Sequence, residues 1–216
     1  GKTGQWMCPI SKSNTGTGGA GWMFCTAATN QLTFRIGTVG NLANCWTPSG
    51  AVSTNTWMHV AGTFGAGVAK IYCNGGLTGT ATGIAQTTIG NTDMLLLGGG
   101  IPSAKYYGLL DDIQIFTSVL TDTEIRGLVG SREHKAVGYW SFDDGSGLTA
   151  RDYAPDQVTD ITGATAALTG NPVWIAGARG YAINFDGANA YVSANSASGL
   201  AMTSPVMSLM AWVRPV

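Results

Sequence analysis

The chain has 216 residues, of which 44% are hydrophobic and only 11% charged, with 32 glycines and a formal net charge of −1. That length suits one large β-sandwich or two small domains, and the abundance of aromatic residues at almost no net charge excludes a disordered chain. A neutral composition offers no electrostatic footprint for nucleic acid or anionic lipid, and apolar runs such as residues 94–97 are far too short to span a bilayer.

Residues 5–12 (QWMCPISK) and 22–27 (WMFCTA) read as strands around a polar, Gly-rich loop at 13–21. If the two pair as a hairpin, Cys8 falls opposite Cys25, which makes that pair the disulfide candidate. The four cysteines, Cys8, Cys25, Cys45 and Cys73, have no C-x-x-C spacing, which argues against zinc. They read equally well as buried thiols acting as small hydrophobes. Residues 31–37 alternate cleanly, 42–47 form a weaker strand, and 48–55 are a turn region. The stretch 57–74 (WMHVAGTFGAGVAKIYCN) predicts two strands. In the first, Trp57, His59, Ala61 and Thr63 alternate with Met58, Val60 and Gly62. Gly65-Ala66-Gly67 is a tight turn, and Asn74-Gly75 is a hairpin signal because a type I′ turn needs positive φ at both central residues.

Further strands are predicted at 77–83, 93–98 and 106–116, the last with an acidic pair inside it. Thr121 with Glu124 is a capping box, so a short helix should run from 121 to about 129. The charged run 131–137 (SREHKAV) reads as a solvated linker, after which the pattern restarts. Residues 138–147 (GYWSFDDGSG) give a strand and an acidic turn, and 171–176 and 181–185 are strands. Asp186-Gly187 is a second hairpin signal leading into 190–194, and 207–215 (MSLMAWVRP) is a last alternating strand. Thirteen or fourteen short strands with Gly-rich turns is the pattern of an all-β, two-sheet sandwich.

Several segments resemble the laminin-G-like type of concanavalin A-like domain. They are W-x-H-V-A-x-T-F…K-I-Y-x-N-G at 57–75, GYWSFDDGSG at 138–147, GYAINFDGANAYV at 180–192, LMAWVRP at 209–215, and GLLDDIQIF with LTDTEI at 108–125. The resemblance implies a concanavalin A-like jelly-roll sandwich of two large antiparallel sheets. Its order is unusual. Residues 1–130 look like the later strands and closing helix, 131–137 a linker, and 138–216 the opening strands, together one complete set cut and rejoined. The chain is then either a circular permutant or a window on a tandem array, completed within itself or by strand exchange with a neighbouring copy. Lacking an initiator Met and a leader-like stretch, it reads as a processed chain or a fragment.

Catalytic chemistry finds little footing. The only glutamates are Glu124, in the helix cap, and Glu133, in the linker, and no strand carries the alternating acids of glycan hydrolases. His59 has no evident Ser or Cys partner and reads as a strand histidine packed by Trp57, while His134 lies on the linker. The resemblance instead implies calcium at Asp112, Asp143 and Asp152, and less directly at Asp186, since turns supply carboxylates beside backbone carbonyls. Asp112, Asp143 and Asp186 also suit capping of turns by accepting backbone N–H bonds. Without a cation the clustered acids need a neutralising partner, for which Arg151 and Lys105 are candidates. Trp46, Tyr106, Tyr107 and Tyr153 lie near predicted turns and are candidate glycan-binding rings. The tryptophans at 6, 22, 57, 140, 174 and 212 read as core.

The expectation is therefore a non-catalytic extracellular, cell-surface or virion-surface module used for adhesion or as a unit of a larger assembly, with neighbouring copies as partners. The alternative is a calcium-supported, lectin-like module that binds carbohydrate. Neither reading involves nucleic acid or membrane insertion.

Overall fold

The computed structural model describes residues 6–13, 20–27, 29–38, 41–85, 89–99, 104–130, 136–154, 165–194, 200 and 205–216. In chain order the elements are β1 (Met7–Lys12), β2 (Gly21–Thr26), β3 (Leu32–Thr38), β4 (Asn41–Trp46), β5 (Met58–Gly65), β6 (Val68–Cys73), β7 (Gly76–Ala81), β8 (Leu95–Leu97), β9 (Tyr107–Phe116), α1 (Asp122–Leu128), β10 (Gly138–Trp140), β11 (Thr149–Ala150), β12 (Ala166–Thr169), β13 (Val173–Ala176), β14 (Tyr181–Asp186), β15 (Tyr191–Ala194) and β16 (Met207–Pro215). They build two large antiparallel sheets. The first runs β11-β12-β15-β8-β1-β2-β3-β4. The second runs β13-β14-β9-β16-β5-β6-β7, with β10 also paired to β9. This is the expected concanavalin A-like sandwich.

One core lies between the sheets. Alternate residues of β16 (Met207, Leu209, Ala211, Val213) meet alternate residues of β2 and β3 (Trp22, Phe24, Leu32, Phe34, Ile36) and the closing aromatics Trp140, Phe142 and Phe185. Strands after residue 137 occupy both sheets. β15 pairs with β8, β14 with β9, and β16 is inserted between β5 and β9. The last strand of the chain is therefore internal to its sheet, with ladder bonds on both sides. Its next-door neighbours come from 58–65 and 107–116.

β5 is buried on both faces, where sequence alternation predicts only one buried face. The cause is α1. Ile125 and Leu128, three residues apart on one helical face, pack with Ala61, Tyr72, Phe116 and Met210 on the outer side of the second sheet. Each such side chain contributes about 1.5–3 kcal/mol by leaving water. The helix start is fixed as the capping box predicts. The Thr121 hydroxyl accepts from Glu124 N–H, and the Glu124 carboxylate accepts from Thr121 N–H at 2.7 Å. Ser208 of β16 holds the approach to the helix, accepting from Leu120 N–H and donating to Ser118 O.

Both predicted turns hold, each with positive φ at its two central residues: Ala66 and Gly67 have φ of 50° and 71°, and Asn74 and Gly75 have 49° and 79°. Asp186-Gly187 behaves differently from the predicted hairpin. β14 belongs to the second sheet and β15 to the first, so this turn carries the chain between sheets. One Asp186 oxygen accepts the N–H groups of Ala188, Asn189 and Ala190, and that turn redirects the backbone away from β14. The short strands β11 and β12 had no sequence signal. The residues 14–19 of the predicted loop and 131–135 of the predicted linker lie outside the described residues.

Cys8 and Cys25 form a disulfide across the β1–β2 hairpin, 17 residues apart in sequence, while Cys45 and Cys73 are thiols. The bridge packs with Met23 and Ala104 on the outer side of the first sheet. Closing a loop of this length should stabilise the fold by about 3 kcal/mol. Urea unfolding of the Cys8→Ser/Cys25→Ser double variant should show that loss, and added reductant should leave the variant's midpoint unchanged.

Candidate functional site

The outer face of the second sheet carries the Asp111–Asp112 pair, and a bulge puts it there. Along β9 the core-facing residues are Leu110, Ile113 and Ile115, so the inward parity changes between 110 and 113. The register against β16 slips at the same place, where Met210 faces Gln114 but Trp212 faces Asp111. Asp112 takes φ 47°, the left-handed conformation that a bulge needs and that Asp tolerates. One extra residue thus brings Asp111 and Asp112, which a regular strand would separate, to the same face.

Their partners come from beyond residue 137. Tyr139 stands on β10 opposite Gln114. Its hydroxyl donates to Asp112 at 2.8 Å, and its backbone N–H donates to Asp152 at 2.8 Å. Asp152 also accepts from Ala154 N–H at 2.9 Å. Asp111 accepts from the Arg179 N–H at 3.0 Å in the turn between β13 and β14. The Arg179 guanidinium lies 3.7 Å from Asp112, donates to the carbonyl of Val129 at the end of α1, and sits 5.9 Å over the Trp212 ring. Beyond Trp212, on the next strand, His59 meets that indole edge-on at 5.6 Å. Gly177 is required here because a Cβ would stand 2.5 Å from the Asp111 carboxylate.

Burial sets the charge states. It raises Asp111 to about 7, with Asp112 and Asp143 pushing the same way against the stabilising Arg179 N–H. His59 is lowered to about 4, first by burial and then by the Arg179 charge. Burial also raises Asp152. Asp186 is lowered, chiefly by the N–H of Ala190.

Of the four predicted metal ligands, the structure joins Asp112 and Asp152 through Tyr139. Asp143 accepts from Tyr181 N–H at 3.1 Å, and Asp186 is committed to its own turn. Among the described residues no three His, Cys, Asp or Glu side chains converge as a metal site. Arg179 takes the neutralising role expected of Arg151 or Lys105. Arg151 contributes only its backbone N–H, to Asp144, and Lys105 lies over the Tyr191 ring. Asp152 Oδ2 is buried without a partner, but one such oxygen falls short of the six to eight that calcium takes. The described residues as arranged do not fit calcium, and Asp156 and Asp160 lie outside them. Arg179 was missed because its partners are some 50 to 68 residues away in sequence, and only the Gly-x-x-Gly spacing around it marks a tight turn.

The candidate rings fare unevenly. Tyr106 is fully buried in the core and donates to Leu109 O, so it presents no face to a ligand. Tyr107 is half-buried beneath Gly187. Tyr153 is exposed and donates to Asp144. Trp46 is half-buried on β4, edge-on to Trp6 at 5.7 Å. Trp6, expected in the core, is 43% exposed; Trp22 and Trp140 do fill it. His59 packs on Trp212 and not on Trp57.

Residues 1–126 match a laminin G family model described as concanavalin A-like lectin/glucanases superfamily. No curated protein and no solved structure matches the chain.

The two shifted groups oppose each other in stability. Folded Asp111 holds its proton up to about pH 7 while the unfolded carboxyl loses it near 4, so its contribution falls as pH rises through that window. Unfolded His59 is protonated below about 6.5 and the folded ring only below about 4, so its contribution rises with pH between those values. Asp111→Asn leaves the histidine alone. Its urea midpoint should climb relative to wild type from pH 4 to 7, a divergence of at least about 1 kcal/mol; parallel profiles would contradict the assignment.

Proposed function

The chain belongs to the concanavalin A-like lectin/glucanases superfamily, and within it we propose a non-catalytic extracellular module whose role is adhesion or assembly with copies of itself. The observation that supports this reading most is β13, which among the described residues forms an edge of the second sheet. β13 (VWIA) carries no charge, and its Val173 and Ile175 are 58% and 41% exposed. Leu148 at 71% and Tyr181 at 49% are also exposed. The neighbouring loop is tied to this edge by Trp174 Nε1 donating to Gly147 O. Natural edges are usually blunted by charge. An uncharged, β-branched edge on a chain of net charge −1 suits antiparallel pairing with the same edge of a second copy. The Cys8–Cys25 bridge fits an oxidising compartment. Glu124 is occupied by the helix cap, consistent with a non-catalytic role.

The order of strands supports a second part of the proposal. Residues 1–130 and 138–216 act as the later and opening portions of a single laminin-G-like sandwich, cut and rejoined around 131–137. Within a longer array the same strands would also be exchangeable between neighbouring copies.

A lectin-like function is the second reading, favoured by the half-open Trp6–Trp46 pair on the opposite sheet. Calcium in that reading would need donors beyond the Asp112 and Asp152 carboxylates that Tyr139 links.

Sedimentation velocity over a concentration series tests the assembly reading. Wild type should associate reversibly, and Ile175→Lys should remain monomeric with its thermal midpoint nearly unchanged, because an exposed substitution costs within about 0.5 kcal/mol. A wild-type chain that stays monomeric at all concentrations would refute it.

A further inference from the structure

We infer that the outer face of β3 and β4 is a binding site for a carboxylate-bearing saccharide, read by Arg35 between Trp6 and Trp46. This rests on the lectin-like reading and gives it a place and a ligand class.

The site follows from strand parity. Phe34 and Cys45 face the core, so Thr33 and Arg35 on β3, and Asn44 and Trp46 on β4, project outward. The register sets Arg35 opposite Asn44 and Thr33 opposite Trp46. Trp6, just before β1, comes over this face. Arg35 lies 5.2 Å from the Trp6 ring centroid, and Trp6 meets Trp46 edge-on.

What marks the cluster is polar capacity that nothing in the chain uses. Arg35 Nε, Asn44 Oδ1 and Thr33 Oγ1 are each shielded from water without a hydrogen-bond partner. Arg35 has no ion pair among the described residues. Its guanidinium is held only by the indole, and burial lowers its pKa. Buried polar atoms are normally paired, and a half-buried cation normally has a counter-ion. By contrast Arg179, the comparable arginine of the other sheet, is satisfied by Asp112 and Val129.

The unmet chemistry specifies a ligand. A guanidinium held beside an indole presents a planar N–H fork that matches a carboxylate in bidentate fashion. The exposed Trp6 face offers an apolar platform for the C–H face of a sugar ring. Asn44, half-buried beside Arg35, adds an amide for sugar hydroxyls. A simple anion would use Arg35 alone and a neutral sugar would leave it unpaired, so an acidic sugar is the class that engages all of them.

The test is a titration of the intact chain by tryptophan fluorescence and calorimetry. The probes are 3′-sialyllactose and tetragalacturonate as two sources of the carboxylate, with lactose and sodium acetate as controls. At least one acidic saccharide should bind, and lactose and acetate should bind at least about 10-fold more weakly. Arg35→Gln and, separately, Trp6→Ala should each weaken binding about 10-fold or more, with Arg35→Lys intermediate. Trp6 is 43% exposed and lies outside the core, so its variant should keep nearly the wild-type melt. The inference is overturned if neither acidic saccharide binds, if acetate binds as well as they do, or if both variants bind like wild type. Saccharide binding that is lost on chelation and in Asp152→Asn, yet unchanged in Arg35→Gln, would keep the lectin-like reading and reject this site.

Discussion

The constraint on which the rest depends is the position of β16. A strand at the very end of the chain is hydrogen-bonded on both sides, to β5 and to β9. An internal strand cannot be withdrawn without leaving two edges unpaired and opening both faces of the sheet. Met207, Leu209, Ala211 and Val213 close the core between the sheets, and Met210 completes the smaller cluster under α1. The early and late parts of the sequence are therefore joined through one strand that serves two packing layers.

The polar cluster beside β16 extends the same dependence. A bulge in β9 brings two aspartates to one face, and Tyr139 and Arg179, which answer them, come from the later part. Arg179 also ties that part to the end of α1 through Val129 O. A carboxylate pair of this kind is tolerable only where hydrogen bonds and a counter-charge compensate its desolvation. Asp111, with one buried oxygen unserved, shows the cost as a proton held to about pH 7.

Much of the fold was legible because its signals are local. Alternation marked β3, β5 and β16, Gly65-Ala66-Gly67 and Asn74-Gly75 marked the turns, and Thr121 with Glu124 marked α1. Parity also placed Cys8 near Cys25. What failed to show was non-local. Nothing around Asp186-Gly187 tells a hairpin from a crossing between sheets, since the same Asp side chain can cap either turn. The Thr149–Ala150 and Ala166–Thr169 strands are too short and too poor in β-branched residues to stand out. Tyr106 looked like a turn residue, yet Gly108 after it brings the chain back against β16 and folds the ring into the core. The site was the least legible part. Arg179 and Arg35 each sit in unremarkable stretches, and only the tertiary arrangement shows that one arginine is satisfied and the other is not.

The central claim is that residues 1–130 and 138–216 are mutually dependent portions of one sandwich. The most direct measurement is to express the two segments separately and follow each by circular dichroism and thermal melting, alone and after mixing. Neither segment should melt cooperatively alone, because 1–130 would lack the strand between β5 and β9 and 138–216 would lack the sheets its strands join. A compact, cooperatively melting monomer from either segment by itself would contradict the account.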